Sequence, residues 1–156
     1  MKKLIYTATL TLTLASLIPA AYATEIGKTT HLIHSNAHTL NSRIPNATHH
    51  FELYIAGKSL SELAIDLPEG ISVTGGIKVT DQSGRKLETT VALEDKTAKV
   101  AFAQPVASGT ILSIEINGVN ISSMYRGRTF HYPIRAKING FTVDIPIGTA
   151  RIQTYD

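Results

Sequence analysis

The segment FHYPIRAKINGFTVDIPI, residues 130–147, carries the strongest structural signal in this chain. Its centre is Asn139-Gly140, a strong hairpin signal because both residues tolerate the positive φ that a type I′ turn requires. Because a single register places apolar side chains on one face of both strands, the stretch predicts an antiparallel β-hairpin. The predicted facing pairs are Ile138 with Phe141, Ala136 with Val143, Ile134 with Ile145, and Tyr132 with Ile147.

The opposite face of this hairpin carries one charge pair and two prolines. In the same register Arg135 lies opposite Asp144, and Pro133 lies opposite Pro146. At that level both proline nitrogens point away from the partner strand, so neither proline removes a hydrogen bond from the hairpin. We expect the prolines to stop a third strand from pairing at their level.

Upstream, apolar and polar residues alternate in short segments that turn residues interrupt about every ten positions. Gly75-Gly76 predicts a bulge or a bend inside one strand, and residues 94–97 predict a second hairpin loop. Asn117-Gly118 ends another alternating segment, and residues 120–128 read as a polar loop. The apolar side of these segments is formed by Phe51, Leu53, Ile55, Leu63, Ile65, Leu67, Leu87, Val91, Leu93, Val100, Phe102, Leu112, Ile114 and Ile116.

This regular spacing of short alternating segments predicts an all-β fold, an antiparallel immunoglobulin-like β-sandwich of about seven to nine strands. One helical turn is an alternative for residues 59–64. The cysteines and the tryptophan typical of antibody domains are absent, since the chain has no Cys and no Trp. The hydrophobic core alone is therefore expected to hold the domain together.

The first 23 residues have the pattern of a signal peptide. Lys2-Lys3 precede an apolar run that is too short to span a bilayer, and Ala21-Tyr22-Ala23 offers small residues for cleavage. We expect an exported product with no transmembrane segment after cleavage, located in the periplasm, at the cell surface or outside the cell. Residues 24–47 are predicted to be an extended arm with at most one short strand near 31–35, and residues 48–156 the sandwich domain.

The charge balance argues against a nucleic-acid partner. The chain carries 15 Lys and Arg against 12 Asp and Glu, and loss of Lys2 and Lys3 with the signal leaves 13 against 12. Phosphate binding needs a concentrated positive field, which this balance does not supply.

Histidines cluster near the predicted mature N-terminus and raise the question of metal binding. His31, His34 and His38 could hold copper or zinc through their imidazoles, and His49 and His50 follow shortly after. The first three would share a face only on a helix, which the surrounding Thr, Ser and Asn do not favour. A polar surface segment is the alternative interpretation.

No catalytic motif is present: the chain has no Gly-x-Ser-x-Gly elbow, no HExxH, no P-loop and no GxGxxG. We therefore expect a non-enzymatic protein without a cofactor. Tyr125, Arg126 and Arg128 form a candidate binding surface, because arginines can bind a carboxylate or sulfate and a tyrosine can stack on a sugar. A solvated loop with Tyr125 packed into the core is the alternative.

Several turns and strand starts follow the pattern of a known family. They are Asn41, Ala47-Thr48, Phe51, Gln104-Pro105-Val106, Gly109-Thr110, Tyr125 to Gly127, Gly148, Arg151 and Tyr155. With these residues the chain resembles a family of exported cyanobacterial proteins known as a domain of unknown function, number twenty-eight-oh-eight. The resemblance implies a signal peptide and a sandwich, and it assigns no reaction. His49-His50 stand where aromatic residues are expected, and Ala107-Ser108 where prolines are usual.

Three functional hypotheses follow from the sequence. The first is an exported, non-enzymatic component of the cell surface, periplasm or extracellular material that acts by binding or assembly, with itself or with a surface protein or glycan as partner. The second is a pilin-like fibre subunit whose N-terminal arm completes a neighbour's sheet. The third is a periplasmic metal-binding protein that uses the histidines.

Overall fold

The computed structural model describes residues 29–156, which form nine β-strands and one short 3-10 helix. The predicted signal peptide lies outside the described residues. The elements are β1 (His31–His38), β2 (Ala47–Tyr54), β3 (Leu60–Asp66), β4 (Ile71–Asp81), β5 (Thr89–Glu94), β6 (Thr97–Val106), β7 (Ile111–Ile121), the 3-10 helix Ser123–Tyr125, β8 (Thr129–Ile138) and β9 (Ile145–Gln153).

The strands form two sheets that pack face to face. One sheet has four strands in the order β1-β2-β7-β4, and the other has five in the order β5-β6-β3-β8-β9. Every pairing between strands is antiparallel. The predicted all-β, immunoglobulin-like sandwich is confirmed, and the helical alternative at residues 59–64 is wrong because that segment belongs to β3.

The core lies between the sheets and is made of alternate residues of the central strands. Alternation places one side chain of every two toward the other sheet. These inward positions are apolar along β3, β7 and β8, and along β2 except at His49. The largest fully buried side chains are Tyr132, Phe51, Leu53, Ile55, Leu60, Leu63, Ile65, Leu112, Ile114, Ile116, Ile134 and Ile152.

The two lateral sides of the sandwich differ. On one side β1 and β9 lie against each other, and the Ser35 hydroxyl donates a hydrogen bond of 2.9 Å to the Arg151 carbonyl. β1 is longer than the short strand predicted near residues 31–35, and it pairs with β2 along most of its length. On the other side β4 and β5 scarcely touch, which leaves the sandwich open there.

The terminal hairpin forms, but its predicted register is wrong. A six-residue loop, residues 139–144, replaces the predicted two-residue turn, and Ile147 is an extra residue in the ladder between Ile134 and Arg135. Phe141 and Val143, expected to be buried, are 49% and 66% exposed. The observed apolar pairs are Ala136 with Ile145, Tyr132 with Ala150, and Phe130 with Ile152.

The turn at Asn139-Gly140 explains the changed register. A type I′ turn needs a positive φ at both residues, whereas only Gly140, at +89°, has one. Asn139 is held by Ser59 instead: its N–H donates 2.9 Å to the Ser59 carbonyl and its amide nitrogen lies 2.6 Å from the Ser59 hydroxyl. The contact with the β2–β3 loop thus overrides the local turn preference.

The polar face of the hairpin also differs from the prediction. Arg135 lies opposite Pro146, and its Nη2 donates 2.8 Å to Oδ1 of Asp66 rather than pairing with Asp144. Pro133 lies opposite Thr149, not Pro146. The expectation that Pro133 limits a third strand is confirmed, because the ladder between β3 and β8 ends at Ile134.

The corrected register predicts which hairpin side chains contribute to stability. Val143→Ser is expected to change the free energy of unfolding by less than about 0.5 kcal/mol, since Val143 is exposed. Ile134→Ser is expected to lower it by about 3 kcal/mol or more, since this side chain is 1% exposed. Urea titration of both variants measures the difference. A comparable loss for the two variants would restore the register predicted from the sequence.

Candidate functional site

Three segments meet at one end of the sandwich, which we call the loop end: residues 39–46, 122–128 and 154–156. Backbone hydrogen bonds join them. The Tyr155 N–H donates 2.7 Å to the Leu40 carbonyl, the Ser42 N–H donates 2.7 Å to the Tyr155 carbonyl, and the Thr154 N–H donates 3.0 Å to the Arg128 carbonyl. The Gly127 N–H adds a hydrogen bond of 3.2 Å to the Ser42 hydroxyl. Three separate parts of the chain are therefore held together in one surface.

Exposed apolar side chains are concentrated at the loop end. Met124 is 75% exposed, and large apolar surfaces of the other two segments also face solvent. Four of the nine large apolar side chains that are exposed in residues 29–156 lie here: Leu40, Ile44, Met124 and Tyr155. A group of exposed apolar side chains on hydrogen-bonded neighbouring segments is a candidate interaction site.

Charged side chains also lie at the loop end. The Arg43 guanidinium donates to both carboxylate oxygens of Asp156, at 3.0 and 3.3 Å. This hydrogen bond lowers the pKa of Asp156 and raises the pKa of Arg43, and the positive charge of Arg126 lowers the pKa of Asp156 further. The ion pair ties the first segment to the C-terminal one, and Arg126 and Arg128 leave the loop end with an excess of positive charge.

The structure brings the three predicted binding residues to the loop end but gives Tyr125 intramolecular contacts. Its hydroxyl lies 3.1 Å from Oε2 of Glu69, and the Arg128 guanidinium lies 5.2 Å from its ring centre. The ring also packs over Gly70, where an added Cβ would lie 2.3 Å from its Cγ. Tyr125 is half-buried and Arg126 is exposed. A binding role for Tyr125, Arg126 and Arg128 stays a prediction.

The three histidines predicted as metal ligands are not brought together. They lie along β1, with His31 opposite Tyr54 and His38 opposite Thr48. His31 and His38 are seven steps apart along an extended strand, about 23 Å, a distance that no single ion can bridge. Within residues 29–156 no group of three His, Cys, Asp or Glu side chains is placed to hold a metal ion.

A buried histidine–tyrosine pair is the polar feature that sequence reasoning missed. His49 is fully buried, and its Nδ1 lies 2.6 Å from the Tyr132 hydroxyl, whereas its Nε2 has no hydrogen-bond partner. Burial lowers the pKa of His49 to about 4 and raises the pKa of Tyr132 well above its ordinary value. The signal was its position: His49 has the same parity as Phe51 and Leu53, so strand alternation already placed it on the apolar face.

Comparisons with solved structures identify the fold. The chain is similar to BslA, described as a bacterial hydrophobin, with a TM-score of 0.55 and 16% identity over 81% of this chain and 93% of that one. It is also similar to the N-terminal domain of the Streptococcus gordonii adhesin Sgo0707, with a TM-score of 0.54 and 12% identity over 81% of this chain. This chain spans 32% of that adhesin structure.

At these identities the likeness establishes the fold alone. No protein-family model matches the sequence, and a search of the curated proteins finds no match. The resemblance to the cyanobacterial family therefore stays a prediction. Among the described residues, no helix has the length and apolar character needed to cross a membrane.

Proposed function

We propose that this chain is an exported, non-enzymatic protein of the cell surface or extracellular material that binds apolar surfaces through its loop end. The observation that carries the proposal is the collection of Leu40, Ile44, Met124 and Tyr155, all exposed, on segments that hydrogen bonds hold together. Removing such side chains from water is favourable at about 25 cal/mol per Å² of apolar area. Because the segments are already tied to one another, little ordering accompanies binding.

The similarity in fold supports this proposal. One structurally similar protein is described as a hydrophobin and the other as an adhesin, so both descriptions refer to proteins that act at surfaces. Loops that a rigid sandwich displays at one end are a common location for binding. The surplus of arginine over acidic side chains at the loop end would favour apolar surfaces that also carry negative charge.

The position of the most perturbed titratable groups supports binding rather than catalysis. Shifted pKa values are useful to an enzyme where a substrate can reach the group. The pKa of His49 is lowered to about 4 by burial inside the core, and Tyr132 is equally enclosed. A substrate in solution therefore has no access to this pair.

Adsorption to an apolar surface tests the proposal. The double variant Ile44→Ser/Met124→Ser is expected to bind octyl-coated silica about tenfold more weakly than the original protein, because two apolar contacts are lost. Binding is measured with a quartz microbalance, using protein purified from the extracytoplasmic fraction of the producing cells. Its absence from that fraction would contradict export.

The matched control changes the apolar residues at the opposite end of the sandwich. Phe141→Ser/Val143→Ser removes two side chains that are also about half or more exposed, and it is expected to leave adsorption unchanged. Equal losses of adsorption in both double variants would show that adsorption is unspecific. Unchanged adsorption in both would show that the loop end does not bind the apolar surface.

A further inference from the structure

Among the strands of residues 29–156, β5 has an edge that is free and unprotected. It is the outer strand of the five-stranded sheet, and within residues 29–156 no strand pairs with its outer side. Its six residues, TTVALE, pair with β6 without a bulge, and they include neither proline nor lysine. Natural proteins normally protect sheet edges with such features, because an open edge recruits other strands.

The other edge strands are protected. β1 contains a bulge and lies against β9, and β9 carries Pro146. β4 has a bulge between Val73 and Gly76, and a neighbouring segment covers its second half. There the Asp81 N–H donates 3.0 Å to the Arg85 carbonyl and the Leu87 N–H donates 2.9 Å to the Val79 carbonyl. The contrast identifies β5 as the edge open to a partner.

The hairpin pattern shows which backbone groups of β5 are free. Glu94 pairs with Thr97 across a two-residue turn, so these two residues form a hydrogen-bonded pair. From there the pairs along β5 and β6 alternate between non-hydrogen-bonded and hydrogen-bonded. The Ala103 N–H, which donates 3.0 Å to the Glu88 carbonyl, continues the same alternation at the far end. The N–H and C=O groups of Thr89, Val91 and Leu93 therefore point away from β6, toward the open edge.

Apolar side chains accompany these free backbone groups. Val91 lies opposite Val100 and Leu93 opposite Ala98, and both partners are buried. Val91 and Leu93 consequently point to the inner face of their sheet, yet they are 40% and 61% exposed. The reason is that the four-stranded sheet ends at β4 and does not extend over them. A groove lined by Ile77 and Leu87 remains between β4 and β5.

We propose that β5 pairs with β5 of a second copy of this chain, antiparallel and with Ala92 on the two-fold axis. This register places Val91 of each copy opposite Leu93 of the other, with their free N–H and C=O groups facing each other. It also places Thr90 opposite Glu94. The alternative register, centred on Val91, would place Glu94 opposite Glu88 of the second copy, where like charges repel.

The self-complementarity of the edge is what selects a second copy as the partner. The two apolar pairs, Val91 with Leu93 and its symmetry mate, cover the side chains that the shorter sheet leaves open. The one charged side chain of β5, Glu94, lies opposite the uncharged Thr90 in this register, and its Oε2 lies 2.6 Å from Nζ of Lys99 in the same chain. Pairing joins two five-stranded sheets into one sheet of ten strands, with both four-stranded sheets on the same side.

A cysteine on the two-fold axis tests the register. Residues of a non-hydrogen-bonded pair have Cα atoms about 4.5 Å apart, within the range of a disulfide. Ala92→Cys is therefore expected to give a covalent dimer in non-reducing electrophoresis under mild oxidation, and no native cysteine competes because the chain has none. Thr90→Cys is the matched control. Position 90 lies on the same exposed face as position 92, but the two Thr90 residues of the dimer would be about 13 Å apart along the strands.

Sedimentation velocity tests the association itself on the full protein as its host processes it. We expect a dimer that dissociates on dilution, and Leu93→Lys should raise its dissociation constant about tenfold or more, because charge replaces an apolar contact. Val143→Lys makes the same change at a similarly exposed site away from β5 and should have no effect. The adsorption described above should be unchanged in Leu93→Lys, so the two proposals can fail separately.

Three results would overturn the proposal: a monomer at every concentration, equal crosslinking of Ala92→Cys and Thr90→Cys, or unaltered association of Leu93→Lys. Association that needs residues 24–30 and gives no crosslink at position 92 would also overturn it. That result would assign the edge to the N-terminal segment of another copy.

Discussion

Acidification from pH 7 to pH 4 is expected to lower the free energy of unfolding by roughly 3 kcal/mol through His49 alone. The imidazole is fully buried among apolar side chains, and its ring lies near the rings of Phe130 and Tyr132. A positive charge there would be stripped of water and would have no carboxylate partner, so burial lowers the pKa of His49 from 6.5 to about 4.

The sign of the effect follows from proton uptake. The unfolded chain protonates this histidine near pH 6.5, whereas the folded protein resists protonation until the pKa of about 4 is reached. Between these values the unfolded state binds more protons, so stability falls as the pH falls. Below about pH 4 both states are protonated and this contribution stops changing. Asp81, whose pKa is lowered mainly by the hydrogen bond from the Ser83 hydroxyl, adds a further loss at more acidic pH.

Chemical denaturation at pH 7, 5.5 and 4 measures the effect, with the double variant His49→Phe/Tyr132→Phe as its control. Phenylalanine at position 49 alone would leave the Tyr132 hydroxyl buried without a partner, and the second change removes that hydroxyl. The double variant keeps every other group that titrates in this range, so the difference between the two profiles isolates His49. If the free energy of unfolding changes equally with pH in both proteins, protonation of His49 does not destabilise the folded state.

Gly118→Ala is expected to lower the free energy of unfolding by about 3 kcal/mol or more. Gly118 lies in β7 opposite the bulge that Thr74 and Gly75 form in β4. Its φ of +68° strains any residue with a Cβ, and that Cβ would lie 2.3 Å from the Gly75 nitrogen. Backbone atoms of a paired strand cannot move aside as a flexible side chain can, so strain and collision add.

Gly76→Ala separates the effect of backbone strain from the effect of the collision. Gly76 directly follows the same bulge and has a similar φ of +76°, but nothing lies within 4 Å of an added Cβ. This variant is expected to lose only about 1 kcal/mol, from backbone strain alone. Thermal or urea unfolding of both variants gives the comparison. Equal losses of unfolding free energy in the two variants would mean that β4 and β7 separate locally and relieve the collision at Gly118 at no cost in stability.

The secondary structure and fold class of this protein could be predicted because its inward positions alternate. Phe51, Leu53, Leu63 and Ile65 were placed on the apolar side by period alone, and all four are fully buried. The bulge at Gly75-Gly76 and the hairpin at residues 94–97 were also predicted correctly, since glycine and turn residues act through local backbone preferences.

Contacts between distant segments decided what the sequence could not. Asn117-Gly118 looked like the end of a strand, yet β7 continues to Ile121 because β4 pairs with it through the bulge. Of the candidate sites, Tyr125, Arg126 and Arg128 were placed on one loop correctly, but their neighbours were not foreseen. Leu40 and Tyr155 reach that loop through hydrogen bonds between separate segments. The Tyr155 N–H donates to the Leu40 carbonyl, and the Gly127 N–H donates to the Ser42 hydroxyl, 85 residues away.

Alternation of apolar and polar residues thus determined by itself that the chain forms a two-layer β-sandwich, since burying one face of each strand requires a second sheet. It did not determine which inward side chains would be covered. Val91 and Leu93 have the correct parity but lie beyond the last strand of the opposing four-stranded sheet, so they stay exposed. His49 belongs to that four-stranded sheet and is buried against Phe130 and Tyr132 of β8 in the other sheet. Burial depends on the widths and order of both sheets, which are set by pairing between distant strands and are not encoded in any local pattern.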